Sequence, residues 1–255
     1  AARSADTGFT LLATRLYLLK TFWEMGKHQM AFEQLDRFRH TQATIEKLPA
    51  LWVLRGVMAR HVKETELAQE CFQQALELSQ SESLNLFNPL LQLPDISWKP
   101  WIGLGEIFLE EGLFTQAYHA FASARQTLPE HPYLAEQFVK AAFLNHNYPV
   151  LAPVLKQFPE LPGFSVSLHQ ALMALASANE GHFQAEEMGP LAEKLLADLK
   201  QDSLSALNST SQPFLLSVVL EFALLLLQHQ APLIARPLLQ HLTLRLPMQA
   251  MLWHN

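Results

Sequence analysis

The sequence of 255 residues has one cysteine and no long uninterrupted apolar run, and each shortage excludes a class of protein. Because Cys71 has no second cysteine to pair with, it is either a small core residue or a reactive thiol, and a reducing compartment fits it. The longest apolar stretch, Phe214–Leu227, is interrupted by Ser217 and Glu221 and is too short to span a bilayer. We therefore expect a cytoplasmic chain that does not enter the membrane.

Basic residues are too few and too scattered for nucleic acid. The chain has 18 Lys and Arg against 24 Asp and Glu, and its formal net charge is −6. Proteins that bind nucleic acid concentrate Lys and Arg on one face, where these side chains neutralise phosphates. No such basic stripe is present, so we expect no nucleic-acid partner.

Motifs of known catalytic sites are missing as well. The sequence has no Gly-x-Ser-x-Gly, no P-loop, no His-Glu-x-x-His and no paired cysteines. No two of its eleven histidines lie three or four residues apart, as two ligands of one metal ion on a single helix would. We therefore predict that this chain is not an enzyme and holds neither a metal nor a cofactor.

What the sequence does contain is helical periodicity. Apolar residues recur at i, i+3, i+4 and i+7, while alternating β-branched runs are nearly absent, so the chain is predicted to be all-α. Within 100–129 the spacing is W-x2-L-G-x2-(Y/F)…A-x3-F-x2-A…P. The residues that carry it are Trp101, Leu104, Gly105, Phe108, Ala117, Phe121, Ala124 and Pro129. The small residues let helix backbones approach closely, and the large ones fill the layer between them.

This spacing resembles the tetratricopeptide repeat, a unit of about 34 residues made of two antiparallel helices. Residues 49–80 match five of the eight positions, but Arg55 replaces the usual Leu and Lys63 the usual turn glycine. A more degenerate copy occupies 12–45, with its turn at Gly26. The resemblance implies a right-handed α-solenoid of antiparallel helix pairs.

We predict that 1–255 is one such array and a fragment of a longer chain. The prolines at Pro149, Pro153 and Pro190 are expected to shorten or kink second helices, so the middle should be irregular. The predicted segments are regular repeats at 12–45, 49–80 and 98–129, degenerate helix pairs at 130–160 and 164–207, a repeat-like pair at 212–247, and the start of a further repeat at 248–255.

An insertion separates the second regular repeat from the third. Trp52 and Trp101 are 49 residues apart, and the excess over one repeat is 81–97, a segment rich in leucine with two prolines. Such a segment either packs on the scaffold as a short helix or loop, or forms a lid or docking surface near the groove.

The resemblance also implies a binding groove. In tetratricopeptide arrays the first helix of each repeat lines a concave surface through positions two, five, nine, twelve and thirteen. Transferred to this sequence, the candidate groove residues are Leu16, Lys20 and Trp23 in the first repeat, Val53, Val57 and Arg60 in the second, and Lys99, Ile102, Glu106 and Leu109 in the third, with Glu24, His61 and Glu110 at the thirteenth positions. Clamps for chaperone C-terminal carboxylates use Lys and Asn here, and since these sets contain no Asn we do not expect that ligand.

The function that the repeats favour is a non-catalytic protein-interaction scaffold. Its groove would bind a peptide or protein domain, or another domain of the same parent chain would fill it. The sequence predicts no particular oligomeric state.

Two alternative functions stay open. The segments AQECFQQALEL and KPWIGLGEIFLEEGLFTQAYHAFASA, separated by the insertion, resemble the repeat region that follows the catalytic domain in bacterial family 2 glycosyltransferases. That resemblance implies an accessory region that positions a protein acceptor. The third hypothesis is the repeat-rich sensor region of a bacterial transcription regulator, whose DNA-binding domain would lie elsewhere in its chain.

Overall fold

The computed structural model describes residues 14–15, 17–39, 48–79, 98–179, 181–202 and 211–245. Over these ranges all regular structure is helical, which confirms the all-α prediction. The chain divides into two compact units, Ala1–Leu128 and Pro129–Asn255. The continuity of the two units as one array stays a prediction.

The first unit is built from helix pairs that stack on one another. Its helices are α1 (17–24), α2 (His28–Arg39), α3 (Pro49–His61), α4 (Thr65–Ser79), α5 (Trp98–Glu110) and α6 (Phe114–Thr127). Helix α3 packs against α4 and α5 against α6, and neighbouring pairs meet where α2 contacts α3 and α4 contacts α5. This is the layered arrangement that the repeat pattern predicts.

Two phenylalanines fill the layers between these helices. Phe72 of α4 is buried against Gly56 of α3 and Gly103 of α5, so a single ring joins two helix pairs. Phe121 of α6 packs on Gly105, where a Cβ atom would lie 2.7 Å from the ring carbon Cζ. Glycine at these positions therefore provides room for a ring.

A buried arginine takes the place of the leucine that the repeat pattern usually has. The Arg55 guanidinium donates to the Asp36 carboxylate from Nε at 3.0 Å, and its Nη2 lies 2.8 Å from the same oxygen. Its Nη1 donates to Sγ of Cys71 at 3.3 Å. Cys71 is buried, as expected of a core residue. The Arg55 contacts therefore connect α2 and α4 through α3.

The second unit repeats the paired arrangement with helices of less regular length. They are α7 (Pro132–Leu144), α8 (Leu151–Gln157), α9 (Val166–Asn179), α10 (Gly189–Asp202), α11 (Ser211–Gln228) and α12 (Pro232–Arg245). Single 3-10 turns at Tyr148–Val150 and Ala185–Met188 lead into α8 and α10. Proline in both regions fits the predicted irregular middle.

The same type of turn joins the two helices of each pair described above. Its central residue has a positive φ of between 54° and 80°, and the six such residues are Gly26, Lys63, Gly112, His146, Gly181 and Gln230. In the third pair the Gly112 amide donates to the Leu109 carbonyl and the Leu113 amide to the Phe108 carbonyl, at 3.2 and 2.8 Å. The same two bonds recur at all six turns, and together they form a Schellman motif. The degenerate pairs therefore share the turn geometry of the regular ones.

Lys63→Gly is expected to raise the free energy of unfolding of the first unit by about 1 kcal/mol, because a side chain at positive φ is strained and glycine is not. Urea unfolding followed by tryptophan fluorescence measures this change, since four of the five tryptophans belong to this unit. Lys63→Ala is the matched control, because it removes the same charge and keeps the Cβ atom. An equal gain in both variants would contradict strain as the cause.

Gly163, between α8 and α9, binds a buried carboxylate through its backbone. Its amide donates to Oε2 of the buried Glu136 at 2.9 Å, and Nζ of Lys140 donates to Oε1 at 2.7 Å. A buried carboxylate needs such partners to offset the loss of hydration. Glu136 thereby fixes the loop between α8 and α9 to α7.

Candidate interaction surface

The first helices of the three pairs in the first unit form one face. Trp23 of α1 contacts His61 of α3, with ring centroids 4.8 Å apart. Arg60 of α3 forms ion pairs with Glu106 and Glu110 of α5. The structure therefore brings predicted groove positions of successive first helices into contact. We call this surface the first-helix face; its residues are Lys20, Trp23, Glu24, Val57, Arg60, His61, Ile102, Glu106, Leu109 and Glu110.

Arg60 is the cation of the first-helix face that forms ion pairs with two carboxylates of a neighbouring helix. Burial lowers the pKa of its guanidinium, but the charges and hydrogen bonds of Glu106 and Glu110 outweigh burial and raise the pKa above its ordinary value. Arg60 therefore stays charged and shared between two carboxylates one helical turn apart on α5. It stabilises the contact between α3 and α5 as well as shaping the surface.

A cluster of three rings lies at the C-terminal ends of α1 and α3, at one end of the face. His28, the first residue of α2, lies 4.5 Å from Trp23 and 4.1 Å from His61 between ring centroids. Nδ1 of His28 is buried without a hydrogen-bond partner. The cluster holds Trp23 half-buried, so part of the indole remains accessible.

The accessible part of the face combines one apolar centre with flanking charges. Val57 is 48% exposed although its neighbours on α3 are largely buried. Lys20 and Glu24 form an exposed ion pair on α1, with Nζ and Oε1 3.6 Å apart. Ile102 and Leu109 of α5 are half-buried and contribute apolar surface.

Three other predicted groove residues differ from this set. Val53 is only 5% exposed and packs in the core of the first unit, so it offers little surface to a partner. Lys99 is exposed at the start of α5, and its Nζ lies 5.5 Å from the centroid of the Trp98 ring. Leu16 lies outside the described residues, as does the insertion 81–97.

Some of the equivalent positions of the second unit are buried. Counted back from the turns at His146 and Gly181, they include Glu136, Phe143, Leu168, Ala171 and Leu175, all of which are buried. The other equivalent positions, such as Tyr133, Leu227 and Gln228, are half-buried or exposed, so the burial of these helix positions varies within the second unit. This variation could not be predicted from the repeat register alone.

Neither metal-binding nor membrane-spanning features are found in the described part of the chain. Over the described ranges, no group of three or more His, Cys, Asp or Glu side chains is arranged to hold a metal ion. Among the helices whose residues are described, none has the length and apolar character needed to cross a bilayer.

Comparisons with known proteins find similarity among solved structures only. No protein-family model matches the sequence, and no curated protein sequence is significantly similar to it. Among solved structures, the chain is similar to PilW, described as a widely conserved type IV pilus biogenesis factor. The identity is 15% and the TM-score 0.42, over 76% of this chain and 98% of PilW. The assignment of stacked helix pairs therefore depends on the contacts and turns within this chain.

Proposed function

We propose that the first unit is a protein-interaction scaffold that binds a peptide or protein segment on the first-helix face. The observation that carries this proposal is the exposure of Val57 at the centre of three first helices that contact one another. Elsewhere on α3, apolar residues are covered by α2 and α4. A valine left open between charged residues is a suitable anchor point for an apolar side chain of a partner.

The rigidity of the face supports the same proposal. Arg60 ties α3 to α5, and the contact of Trp23 with His61 joins α1 to α3. Because these contacts already join the three helices without a ligand, binding would cost less entropy than ordering separate helices. A preformed surface of this kind suits recognition of an extended segment or a helix, the two modes that helical repeats favour.

The proposal is tested by selecting peptides from a random display library on the purified chain. Enriched peptides are expected to lose at least about tenfold in affinity for Val57→Asp, because the new carboxylate removes the apolar contact and must be desolvated. Gln73→Asp on α4 is the matched control, since Gln73 is exposed on a second helix. Circular dichroism confirms that both variants fold. A library without enriched peptides, or peptides indifferent to Val57→Asp, would overturn the proposal.

The two more specific hypotheses from the sequence depend on other domains. An accessory region of a glycosyltransferase requires a catalytic domain with acidic metal-binding motifs in the parent chain, and a regulator requires a helix-turn-helix domain. Sequencing the parent gene on both sides of this segment distinguishes them. If another domain of the parent chain fills the groove, its presence should block the peptides selected on the isolated segment.

A further inference from the structure

We propose that the first-helix face prefers an extended segment in which a Lys or Arg stands two residues from an apolar side chain. This inference rests on the proposed function and specifies the chemistry of its ligand. The apolar side chain would contact Val57, and the cation would pair with Glu110.

The charge balance of the face favours a cation over an anion. Lys20 is already paired with Glu24, and Arg60 is shared by Glu106 and Glu110, so the central cations have acidic partners from this chain. Two carboxylates share one guanidinium, which leaves an excess of one negative charge. The side chain of Glu110 is 54% exposed, whereas that of Glu106 is 19% exposed. Glu110 is therefore the carboxylate that a partner can reach.

An anionic ligand has no comparable site at the centre of the face. Lys99, the exposed cation of α5, lies eleven residues before Glu110, or about 16 Å along the helix axis. An acidic segment placed over Val57 would have to displace a carboxylate from Arg60 before it could form an ion pair. Basic segments meet no such competition, because Glu110 keeps unshared acceptor capacity.

The spacing of the two contact points suits an extended chain. Val57 lies one helical turn before Arg60 on α3, roughly 5 Å along the helix, and Arg60 reaches across to Glu110 on α5. Since the axes of packed helices lie about 8–10 Å apart, the two contact points are separated by about 10 Å. In an extended segment, side chains on the same face are two residues apart and separated by about 7 Å. A side chain of Lys or Arg readily bridges the remaining difference.

Four capped, fluorescein-labelled hexapeptides on an alanine background test this inference by fluorescence anisotropy. They contain Leu-Ala-Arg, Leu-Ala-Glu, Ala-Ala-Arg or Ala-Ala-Glu at the centre. We expect Leu-Ala-Arg to bind about tenfold more tightly than Leu-Ala-Glu, and increasing salt should reduce this preference. Glu110→Gln should abolish the preference. Glu111 is the neighbouring exposed carboxylate, and Glu111→Gln should leave the preference unchanged.

The outcomes separate this inference from the function on which it rests. If Leu-containing peptides bind and depend on Val57, but Leu-Ala-Glu binds as tightly as Leu-Ala-Arg, the scaffold stands and the preference for a cation is wrong. The same conclusion follows if Glu110→Gln leaves the preference intact. If the library and all four peptides show no binding that depends on Val57, both proposals fail. A dimer that forms at micromolar concentration and is lost in Val57→Asp would make a second copy the occupant and overturn the inference.

Discussion

Phe121→Ala is expected to lower the free energy of unfolding of the first unit by about 3–5 kcal/mol. The side chain is fully buried, and it lies between α5 and α6 with its ring on Gly105. Because Gly105 has no side chain that could move into the space, truncation leaves a cavity in the layer between the two helices. Urea unfolding followed by tryptophan fluorescence measures the loss, since Trp98 and Trp101 are on α5.

Gln116→Ala provides the control on the same helix. Gln116 is exposed on α6, so its truncation should change the free energy of unfolding by less than about 0.5 kcal/mol. Stacked repeats lose stability together with their neighbours, so Phe121→Ala should also speed amide exchange in α4, which packs on α5. A stability within error of the unmodified chain would show that the ring of Phe121 does not fill this layer.

The regular repeats could be predicted because their pattern is dictated by contacts within a single helix pair. Gly105 and Phe121 are 16 residues apart in sequence and meet through a short turn, so their spacing alone predicts the contact. Gly112 supplies the positive φ of that turn at little cost. His146 and Gln230 adopt the same backbone conformation although neither is a glycine, so the residue type does not predict a positive φ at these two positions.

Contacts between helix pairs were much less predictable. A buried arginine in place of leucine would be unfavourable without a partner. That partner is Asp36 on the preceding pair, which accepts the hydrogen bonds of Arg55. Arg60 was assigned to the binding groove, and it also joins α3 to α5. Both contacts depend on how one helix pair is shifted relative to the next. Counting positions within a single repeat gives no information about that shift.

The groove prediction shows the same limit. Positions five and nine of the second repeat were both assigned to the groove, but Val53 is core and Val57 is accessible. The repeat register places both on one side of α3 and does not say how far the neighbouring helices close over them. The equivalent positions of the second unit are partly buried and partly exposed, so this closure varies along one chain.

Gly103→Ala is expected to lower the free energy of unfolding by about 1–3 kcal/mol, although alanine is the better helix former by about 1 kcal/mol. A Cβ atom at this position would overlap carbon atoms of the Phe72 ring, which is almost fully buried. Urea unfolding measures the change, with Gly189→Ala at the start of α10 as the control. A Cβ atom on Gly189 meets nothing within 4 Å, so that variant should be neutral or slightly stabilising.

A double-mutant cycle with Phe72→Leu separates overlap with the ring from any other effect of Gly103→Ala. Leucine is shorter than phenylalanine and leaves space beside α5, so Gly103→Ala should cost less in the Phe72→Leu background by about 0.5–3 kcal/mol. Additive losses would mean that Gly103 is required for another reason. Gly103 is outside the eight-position repeat pattern, yet it faces the same ring as Gly56, which is inside it. Coupling between Gly103 and Phe72 would therefore show that one ring holds the second and third pairs together, and that this junction fixes the spacing of α3 and α5 on the first-helix face.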